Sequence, residues 1–355
     1  MRKSIKKRLL PQNSWIFILV TLAFIVLTVM GEMGMLKSAL KGQLVPICVY
    51  IVLAISLNLV VGVSGELSLG HAGFMGVGAF AGVVAAAIFA GIENTTIRLL
   101  LAMIAGGVAA GIAGALIGIP VLRLRGDYLA IVTLAFGEIL KNIIGNMYIG
   151  LDKKGLHFAF SMERLILEPG GKTLLGGPMG ATGIQKIATF GMGFALIIFT
   201  LVVVLNLIHS KEGRAIMAIR DNRIAAESVG LNVFAFKMKA FVLASFLAGM
   251  AGALYGLNFS AIQASKFNFN TSINILVFVV LGGMGNIGGS VISAAMLYIL
   301  PEMLRELYDL RMIMYAIILI IVMLFTWSPK VKDIIQTLAT SKFVKRLLGR
   351  KEVED

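Results

Sequence analysis

Glu138 and Lys141 are the residues whose types and spacing most clearly suggest chemistry. Both interrupt the apolar stretch Tyr128–Gly150, and Glu138 lies ten residues past Tyr128, about 15 Å along a helix. Their i, i+3 spacing places the two side chains on one helix face. Charges within an apolar span are costly and usually face a bundle interior or a wet cavity. The pair therefore either lines a translocation path or forms a buried ion pair that fixes helix packing.

Two glycine-rich stretches carry the next candidates. The first is Gly62–Gly76, which contains His71 and follows Asn58; the second is Gly282–Ser290, which contains Asn286. Paired interrupted segments in two halves of a chain indicate an internal repeat around a translocation path. Asn286 and three polar side chains near the first stretch, Asn58, Glu66 and His71, could line such a path. The alternative for these three is helix capping and interhelical hydrogen bonding.

The sequence does not support catalysis or cofactor binding. The three histidines lie far apart, and the single cysteine, Cys48, allows neither an internal disulfide nor a cysteine-based metal site. Gly283–Gly288 matches a dinucleotide-binding glycine pattern, but no soluble βαβ unit surrounds it. Gly171–Thr173 resembles the end of a phosphate-binding loop that lacks its opening glycine. We therefore expect no catalytic residue, no metal and no cofactor in this chain.

Composition indicates which elements must position these residues. The 355 residues are 58% hydrophobic and 14% charged, whereas an ordinary soluble domain is about 25% charged. We therefore predict an all-α fold, a single polytopic transmembrane bundle over residues 1–355, with about ten spans and interrupted glycine-rich helices. The predicted spans are Trp15–Met30, Gln43–Val63, Leu67–Ile92, Leu99–Leu122, Tyr128–Gly150, Ile187–Ile208, Ala240–Leu257, Ser272–Leu281, Ser290–Leu304 and Met312–Trp327.

Glycine spacing within these spans predicts close helix packing. Pairs four residues apart, such as Gly78/Gly82 and Gly252/Gly256, let helix backbones approach each other in lipid. Packing within one bundle is the simpler interpretation, and a lipid-facing dimer seam is the alternative. The eighth and ninth spans are short for a hydrocarbon core of roughly 30 Å, which favours extension into the adjoining glycines or a partly re-entrant pair.

The positive charge predicts an orientation in the membrane. The formal net charge is +14, and the basic residues lie in short segments without an aromatic platform, which favours membrane orientation over nucleic-acid binding. The predicted inside segments hold 20 of the 32 Lys and Arg residues, and the outside segments hold 11. We therefore expect both termini in the cytoplasm, with a basic start at 1–14, an outside loop at 151–186, an inside loop at 209–239 and a basic tail at 328–355. The first apolar run could be a signal peptide, but its length and lack of a cleavage site favour an uncleaved helix.

The inside loop contains a predicted amphipathic helix. Ala215–Val229 has neither proline nor glycine, and Gly230 is a natural helix stop. One stripe of this helix would comprise Ile216, Ile219, Arg223, Ala226 and Val229. Such a helix could be an interfacial anchor or a docking helix for a cytosolic motor.

Four stretches resemble, in order and spacing, the LivM-like permeases of branched-chain amino acid ABC importers. They are Leu57–Phe74, Leu122–Glu138, Gly213–Gly230 and Leu281–Gly289. Glu66 departs from the pattern, because many relatives are expected to have glutamine there. This departure adds a charge at the inside mouth.

The resemblance implies a permease subunit of a binding-protein-dependent importer in the cytoplasmic (inner) membrane. Its partners would be a sister permease, two cytosolic ATPases that bind the ATP, and an extracytoplasmic binding protein. The resemblance also implies that the inside loop couples to the ATPases, through small residues that permit close approach and polar residues that pair around a groove. These residues are Ala225, Ala226, Gly230, Arg220, Asp221, Arg223 and Glu227. Relatives for urea, short-chain amides or sugars stay open as alternatives, as does a secondary transporter or channel.

Overall fold

The computed structural model describes residues 14–34, 38–124, 126–152, 155–165, 167–168, 170–304 and 310–327. The described residues group into two compact units, which divide between Tyr298 and Ile299. The described residues contain twelve α-helices: α1 (Ser14–Glu32), α2 (Ser38–Asn58), α3 (His71–Ile88), α4 (Thr95–Val121), α5 (Asp127–Gly145), α6 (Phe190–His209), α7 (Lys211–Asp221), α8 (Arg223–Ser228), α9 (Val233–Gly256), α10 (Phe269–Gly282), α11 (Ile287–Met303) and α12 (Arg311–Trp327).

Eight helical stretches in the described residues are long and apolar enough to cross a membrane, and they correspond to the first eight predicted spans. Helices α11 and α12, at the ninth and tenth predicted spans, have 17 residues each. The prediction of a polytopic helical bundle is therefore confirmed. The count of ten crossings stays a prediction, because a 17-residue helix lies at the lower limit of spanning length.

Polar side chains fix where many of these helices begin. At the start of six helices, a polar side chain at the N-cap accepts a hydrogen bond from a backbone N–H in the first turn. This bond satisfies a donor that the helix itself leaves unpaired. The six N-cap residues are Asn94, Thr189, Ser210, Asn222, Asn232 and Asn268. Short polar residues therefore set several helix boundaries in an otherwise apolar chain.

Glycine allows α3, α4 and α9 to pack closely in the first unit. A Cβ atom added at Gly78 would overlap the backbone of Gly249, and one added at Gly252 would overlap that of Met75. Helix α4 joins this contact at Gly107, where an added Cβ would lie 2.7 Å from a methionine of α9. The glycine spacing is thus explained by packing within one bundle, as the simpler interpretation predicts.

Two breaks in helical structure lie next to each other. Helix α2 continues into a π-helical turn, Leu59–Val63, after which the chain is non-helical until α3 begins. The second break separates α10 from α11. A Cβ atom added at Gly62 would overlap the backbone nitrogen of Gly285. The two glycine-rich stretches are therefore in direct contact, and π-turns of this kind are frequent at functional sites.

A small antiparallel sheet lies beside the helices of the first unit. Its strands are β1 (Tyr148–Asp152), β2 (Gly155–Ala159), β3 (Lys172–Gly176), β4 (Ala181–Thr182) and β5 (Ala261–Ile262), in the order β2-β1-β3-β4-β5. Tyr148 pairs with Ala159 in β2 and with Gly176 in β3. The last strand, β5, comes from the connection between α9 and α10, so the sheet joins two connections that are distant in sequence.

The sheet corrects the predicted end of the fifth span. That span was predicted to reach Gly150, but α5 ends at Gly145 and Tyr148 already belongs to a strand. The apolar run continues past Asn146, and hydrophobicity alone does not distinguish the last turn of a helix from a short strand. The predicted helical fold class holds, and the small sheet is an addition to it.

The second unit, taken by itself, contains the end of α11 and all of α12 among its described residues. Helix α12 is apolar around its circumference, and Ile313, Ile320 and Leu324 are exposed. Such a surface suits a lipid environment. The predicted basic tail, 328–355, lies outside the described residues, as does almost all of the predicted basic start.

Candidate functional site

The predicted docking segment is two helices and not one. Helix α7 already begins at Lys211 and ends at Asp221, and Asn222 then adopts an extended backbone with φ −153°. The side chain of Asn222 accepts a hydrogen bond from the backbone nitrogen of Ala225, at 3.0 Å, and so starts α8. The prediction of a continuous helix over Ala215–Val229 is therefore wrong, because asparagine favours the N-cap over the helix interior.

Gly230 ends the segment as predicted. Its φ is +83°, and its backbone nitrogen donates to the carbonyl oxygen of Glu227 at 3.0 Å. A Cβ atom added at this position would meet no atom within 4 Å. Glycine is favoured here by backbone conformation and not by lack of space.

Because Asn232 caps α9, that helix starts at Val233, well before the predicted start of the seventh span.

The break rotates α8 relative to the predicted stripe. Ile219 and Ala226 are buried together with Val233 in a small apolar cluster, as the stripe requires. Val229, which the stripe also included, is 75% exposed, and Ile224 is 80% exposed. The exposed apolar face of this segment is therefore formed by Ile224 and Val229. Sequence periodicity missed it, because the phase of the helical repeat changes at the break.

The predicted coupling residues differ in their exposure. Ala225, Glu227 and Gly230 are exposed, whereas Ala226 is buried against its own chain. A role for Ala226 as a direct contact to a partner is therefore corrected: it supports the segment from inside. All four of the predicted charged residues are paired within the segment. Arg223 Nε donates to Glu227 at 2.8 Å, and Arg220 holds Asp221 at 3.0 Å.

Asn58 and Asn286, both predicted path residues, lie together at the contact between the two glycine-rich stretches. Asn58 is fully buried, and its Nδ2 donates to Ser290 Oγ at 2.8 Å and to the carbonyl oxygen of Asn286 at 3.2 Å. Its Oδ1 accepts from the backbone nitrogen of Gly285 at 2.8 Å. Asn58 therefore joins the end of α2 to the break between α10 and α11.

His71 is buried at the first residue of α3. Its Nε2 lies 2.8 Å from Ser56 Oγ on α2. The next residue, Ala72, donates its backbone nitrogen to Ser272 Oγ on α10 at 3.1 Å. The start of α3 is thus tied by polar contacts to both neighbouring helices.

Glu138 and Lys141 form an ion pair with side chains 32% and 22% exposed. The other carboxylate oxygen, Glu138 Oε1, accepts a hydrogen bond from the backbone nitrogen of Phe269 at 3.0 Å. Phe269 is the first residue of α10, where the helix dipole favours a negative charge. The pair lies at the start of α10, while Asn286 follows its end, so the structure does not bring these two groups of predicted path residues together.

Only one member of a second ion pair was singled out from the sequence. Lys237 on α9 binds Glu66 in the non-helical segment before α3, and both side chains are only 12% exposed. The sequence singled out Glu66 as unusual but counted Lys237 only as a base of the inside loop. The pairing depends on a contact between residues 171 positions apart, which no local pattern indicates.

In the part of the chain that the structure describes, eight apolar helices can span a membrane, and a short amphipathic helix pair lies between two of them. These features define a polytopic membrane protein. The family model for the permease component of branched-chain amino acid transport systems matches residues 39–326. The chain therefore belongs to this permease family.

Individual relatives agree with this assignment. The chain is 33% identical over 292 residues to the high-affinity branched-chain amino acid transport system permease protein LivM of Salmonella typhimurium, covering 79% of this chain and 67% of the relative. The corresponding protein of Escherichia coli is 33% identical over 293 residues, with the same coverage. The L-arabinose ABC transporter permease protein AraH of Azospirillum brasilense is 28% identical over 227 residues, covering 63% of this chain and 58% of the relative. No solved structure matches the chain significantly.

Proposed function

We propose that this chain is the permease subunit of an ABC importer that carries branched-chain amino acids across the cytoplasmic membrane. The observation that carries the proposal is the family match over residues 39–326, together with 33% identity to permeases named for this transport. The partners in this proposal are a sister permease, two cytosolic ATPases and an extracytoplasmic binding protein. ATP is bound by the ATPases, and the chain needs no cofactor of its own.

The segment α7–α8 is the proposed ATPase contact. Ile224 on α8 and Val229 at its end present apolar side chains in a segment between two spans, where a docking partner or lipid headgroups would cover them. Exposed Ala225 and Gly230 leave room for close approach, and Glu227 adds a charge beside them. A partner groove is favoured over a membrane anchor, because an interfacial helix usually carries a longer apolar face with Trp, Phe or Leu, whereas this face has Ile224 and Val229 beside the small residues Ala225 and Gly230.

The proposed orientation places both termini and α7–α8 in the cytoplasm. Its support is the excess of Lys and Arg in the predicted inside segments, 20 against 11. The sheet built from β1 to β5 then lies on the outside, where the binding protein would dock. The path through the membrane would pass beside α10, which has the Glu138–Lys141 pair at its start and Asn58 and Asn286 at its end.

Uptake by the reconstituted complex tests the function and the substrate together. The permease is co-expressed with its genomic partner subunits, reconstituted in liposomes with the binding protein, and supplied with labelled leucine, arabinose or urea. We expect leucine uptake that requires both ATP and the ATPase subunits. Uptake of arabinose alone would favour a sugar permease, to which the AraH similarity points. Leucine uptake without the ATPases would instead indicate a channel or secondary carrier.

A further inference from the structure

Arg220 reaches from the cytoplasmic helix pair into the bundle. It lies in the last turn of α7, and its Nη1 donates to the carbonyl oxygen of Gly62 at 2.7 Å. Its Nε and Nη2 each donate a hydrogen bond to Asp221 Oδ1, at 3.0 Å. One planar guanidinium therefore bridges α7 and the π-helical turn that follows α2.

The carbonyl oxygen of Gly62 is available because the helix ends there. In a continuing α-helix the backbone nitrogen of Glu66 would bond to Gly62, but it donates to Val60 at 3.0 Å instead. The last carbonyls of a helix need donors from elsewhere, and a positive charge at this end is favoured by the helix dipole. Arg220 supplies both the donor and the charge.

Gly65 makes room for the arginine. Its φ is +74°, and a Cβ atom added there would lie 2.5 Å from Arg220 Cγ. The aliphatic part of Arg220 therefore packs directly against the backbone of the segment between the π-turn and α3. Both parts of the side chain, the apolar stem and the guanidinium, contact the first glycine-rich stretch.

The contact continues to the second glycine-rich stretch. Gly62 lies against Gly285, and a Cβ atom added at Gly285 would be 3.8 Å from Arg220 Nη1. The backbone nitrogen of Gly285 is held by Asn58, at 2.8 Å. Arg220, Gly62, Gly285 and Asn58 thus form an unbroken series of contacts, which we name the coupling link, from α7 to both breaks.

We propose that Arg220 is a positioning residue that transmits movement of α7–α8 to the two glycine-rich stretches and so couples ATP hydrolysis to opening of the path. This inference rests on the proposed function, because it assumes that an ATPase moves α7–α8. A guanidinium that holds both α7 and the π-turn prevents them from moving independently. The breaks can rearrange because their glycines tolerate backbone conformations that other residues avoid.

Arg220→Met separates this role from simple packing. Methionine keeps the apolar stem over Gly65 but removes every donor to Gly62 and Asp221. The matched control is Arg214→Met on the same helix, where the lost hydrogen bond goes only to the neighbouring His209 carbonyl oxygen. Both variants are reconstituted with the partner subunits, and ATPase co-purification, ATP hydrolysis and substrate uptake are measured in the same liposomes.

For Arg220→Met we expect wild-type ATPase co-purification and a ratio of substrate imported to ATP hydrolysed that falls about tenfold. We expect Arg214→Met to keep the wild-type ratio. A wild-type ratio in Arg220→Met would overturn the inference, and so would loss of ATPase binding, because that would make Arg220 part of the docking surface. If the wild-type complex itself neither binds an ATPase nor imports, the proposed function fails and not the coupling link.

A distance measurement supplies a readout that a merely structural role would not change. Spin labels at Ala218→Cys on α7 and Met284→Cys in the second break, in a Cys48→Ser background, report their separation with and without ATP. Both positions are exposed. We expect the movement of Met284 to follow that of Ala218 in the wild type, so that their separation stays constant. In Arg220→Met the separation should change with nucleotide, and a constant separation in this variant would contradict the inference.

Discussion

At the scale of single residues, the buried and half-buried polar groups of this permease differ in the partners that they bind. Asn58 forms hydrogen bonds with Gly285, Asn286 and Ser290 at the break between α10 and α11. His71 forms a hydrogen bond with Ser56. Glu138 forms an ion pair with Lys141 and accepts a hydrogen bond from the first residue of α10. Each of them therefore has a structural task in addition to any role in the path. Their substitution affects stability first, and transport must be measured per folded molecule.

Asn58→Ala should lower the free energy of unfolding by about 1–3 kcal/mol, because it removes the three hydrogen bonds that join the buried Asn58 side chain to the second break. Thermal unfolding in detergent micelles measures the loss. Thr200→Val is the matched control, because Thr200 Oγ1 is buried and has no hydrogen-bond partner in the part of the chain that the structure describes. An equal loss in both variants would mean that the asparagine bonds contribute nothing specific.

Glu138→Met should destabilise the permease by about 1–3 kcal/mol, less than the 3–5 kcal/mol typical of a fully buried pair, because both side chains are partly exposed. Glu138→Gln should lose less, since its amide oxygen can still accept from Phe269. If the pair only fixes packing, Glu138→Gln combined with Lys141→Met should restore both unfolding temperature and leucine uptake. Restored stability without restored uptake would show instead that the pair lines the path.

At the scale of elements, the α7–α8 break decides which side chains face a partner. Ile224→Asp should abolish or strongly weaken ATPase co-purification while the chain still inserts and folds, because it places a charge in the proposed apolar contact. Ala218→Asp adds the same charge at an exposed position on α7 and should leave co-purification unchanged. Equal effects of the two substitutions would favour a general electrostatic influence over docking at Ile224.

The buried members of this segment should behave differently. Ala226→Arg forces a long charged side chain into the cluster with Ile219 and Val233, so we expect it to disrupt the local fold. Limited proteolysis between α7 and α9 measures this. A protease-resistant Ala226→Arg that merely fails to bind the ATPase would contradict the observed burial and return Ala226 to the partner surface.

The same elements show what the sequence could and could not predict. Long apolar runs and the glycine spacing identify the bundle, because lipid requires helices whose backbone groups are satisfied internally. The break at Asn222 and strand β1 were missed, because each depends on one or two residues within a run of otherwise suitable pattern. The Glu66–Lys237 pair and the contact of Gly62 with Gly285 were invisible, because they join residues more than 170 positions apart.

At the scale of the whole molecule, the orientation of the chain in the membrane decides which surface meets the binding protein and which meets the ATPases. In a Cys48→Ser background, Phe160→Cys next to β2 should react with an impermeant thiol reagent in cells whose inner membrane is intact. Ala218→Cys and Lys345→Cys should react only after that membrane is permeabilised. Phe160 and Ala218 are exposed, and Lys345 lies outside the described residues. Labelling of Ala218→Cys before permeabilisation would invert the topology and remove the proposed ATPase contact.

The sheet has a consequence for biosynthesis. Strand β4 can pair with β3 as soon as residues 172–182 have been made, but its other neighbour, β5, lies about 80 residues later. At the usual pace of about 5–20 residues per second, the ribosome needs roughly 4–16 s to deliver it. During that interval two further spans, α6 and α9, must be inserted, and the open edge of β4 is left free to pair with a neighbouring chain. The sheet can therefore be completed only after α6 and α9 have been inserted in a way that leaves β4 and β5 on the same side of the membrane.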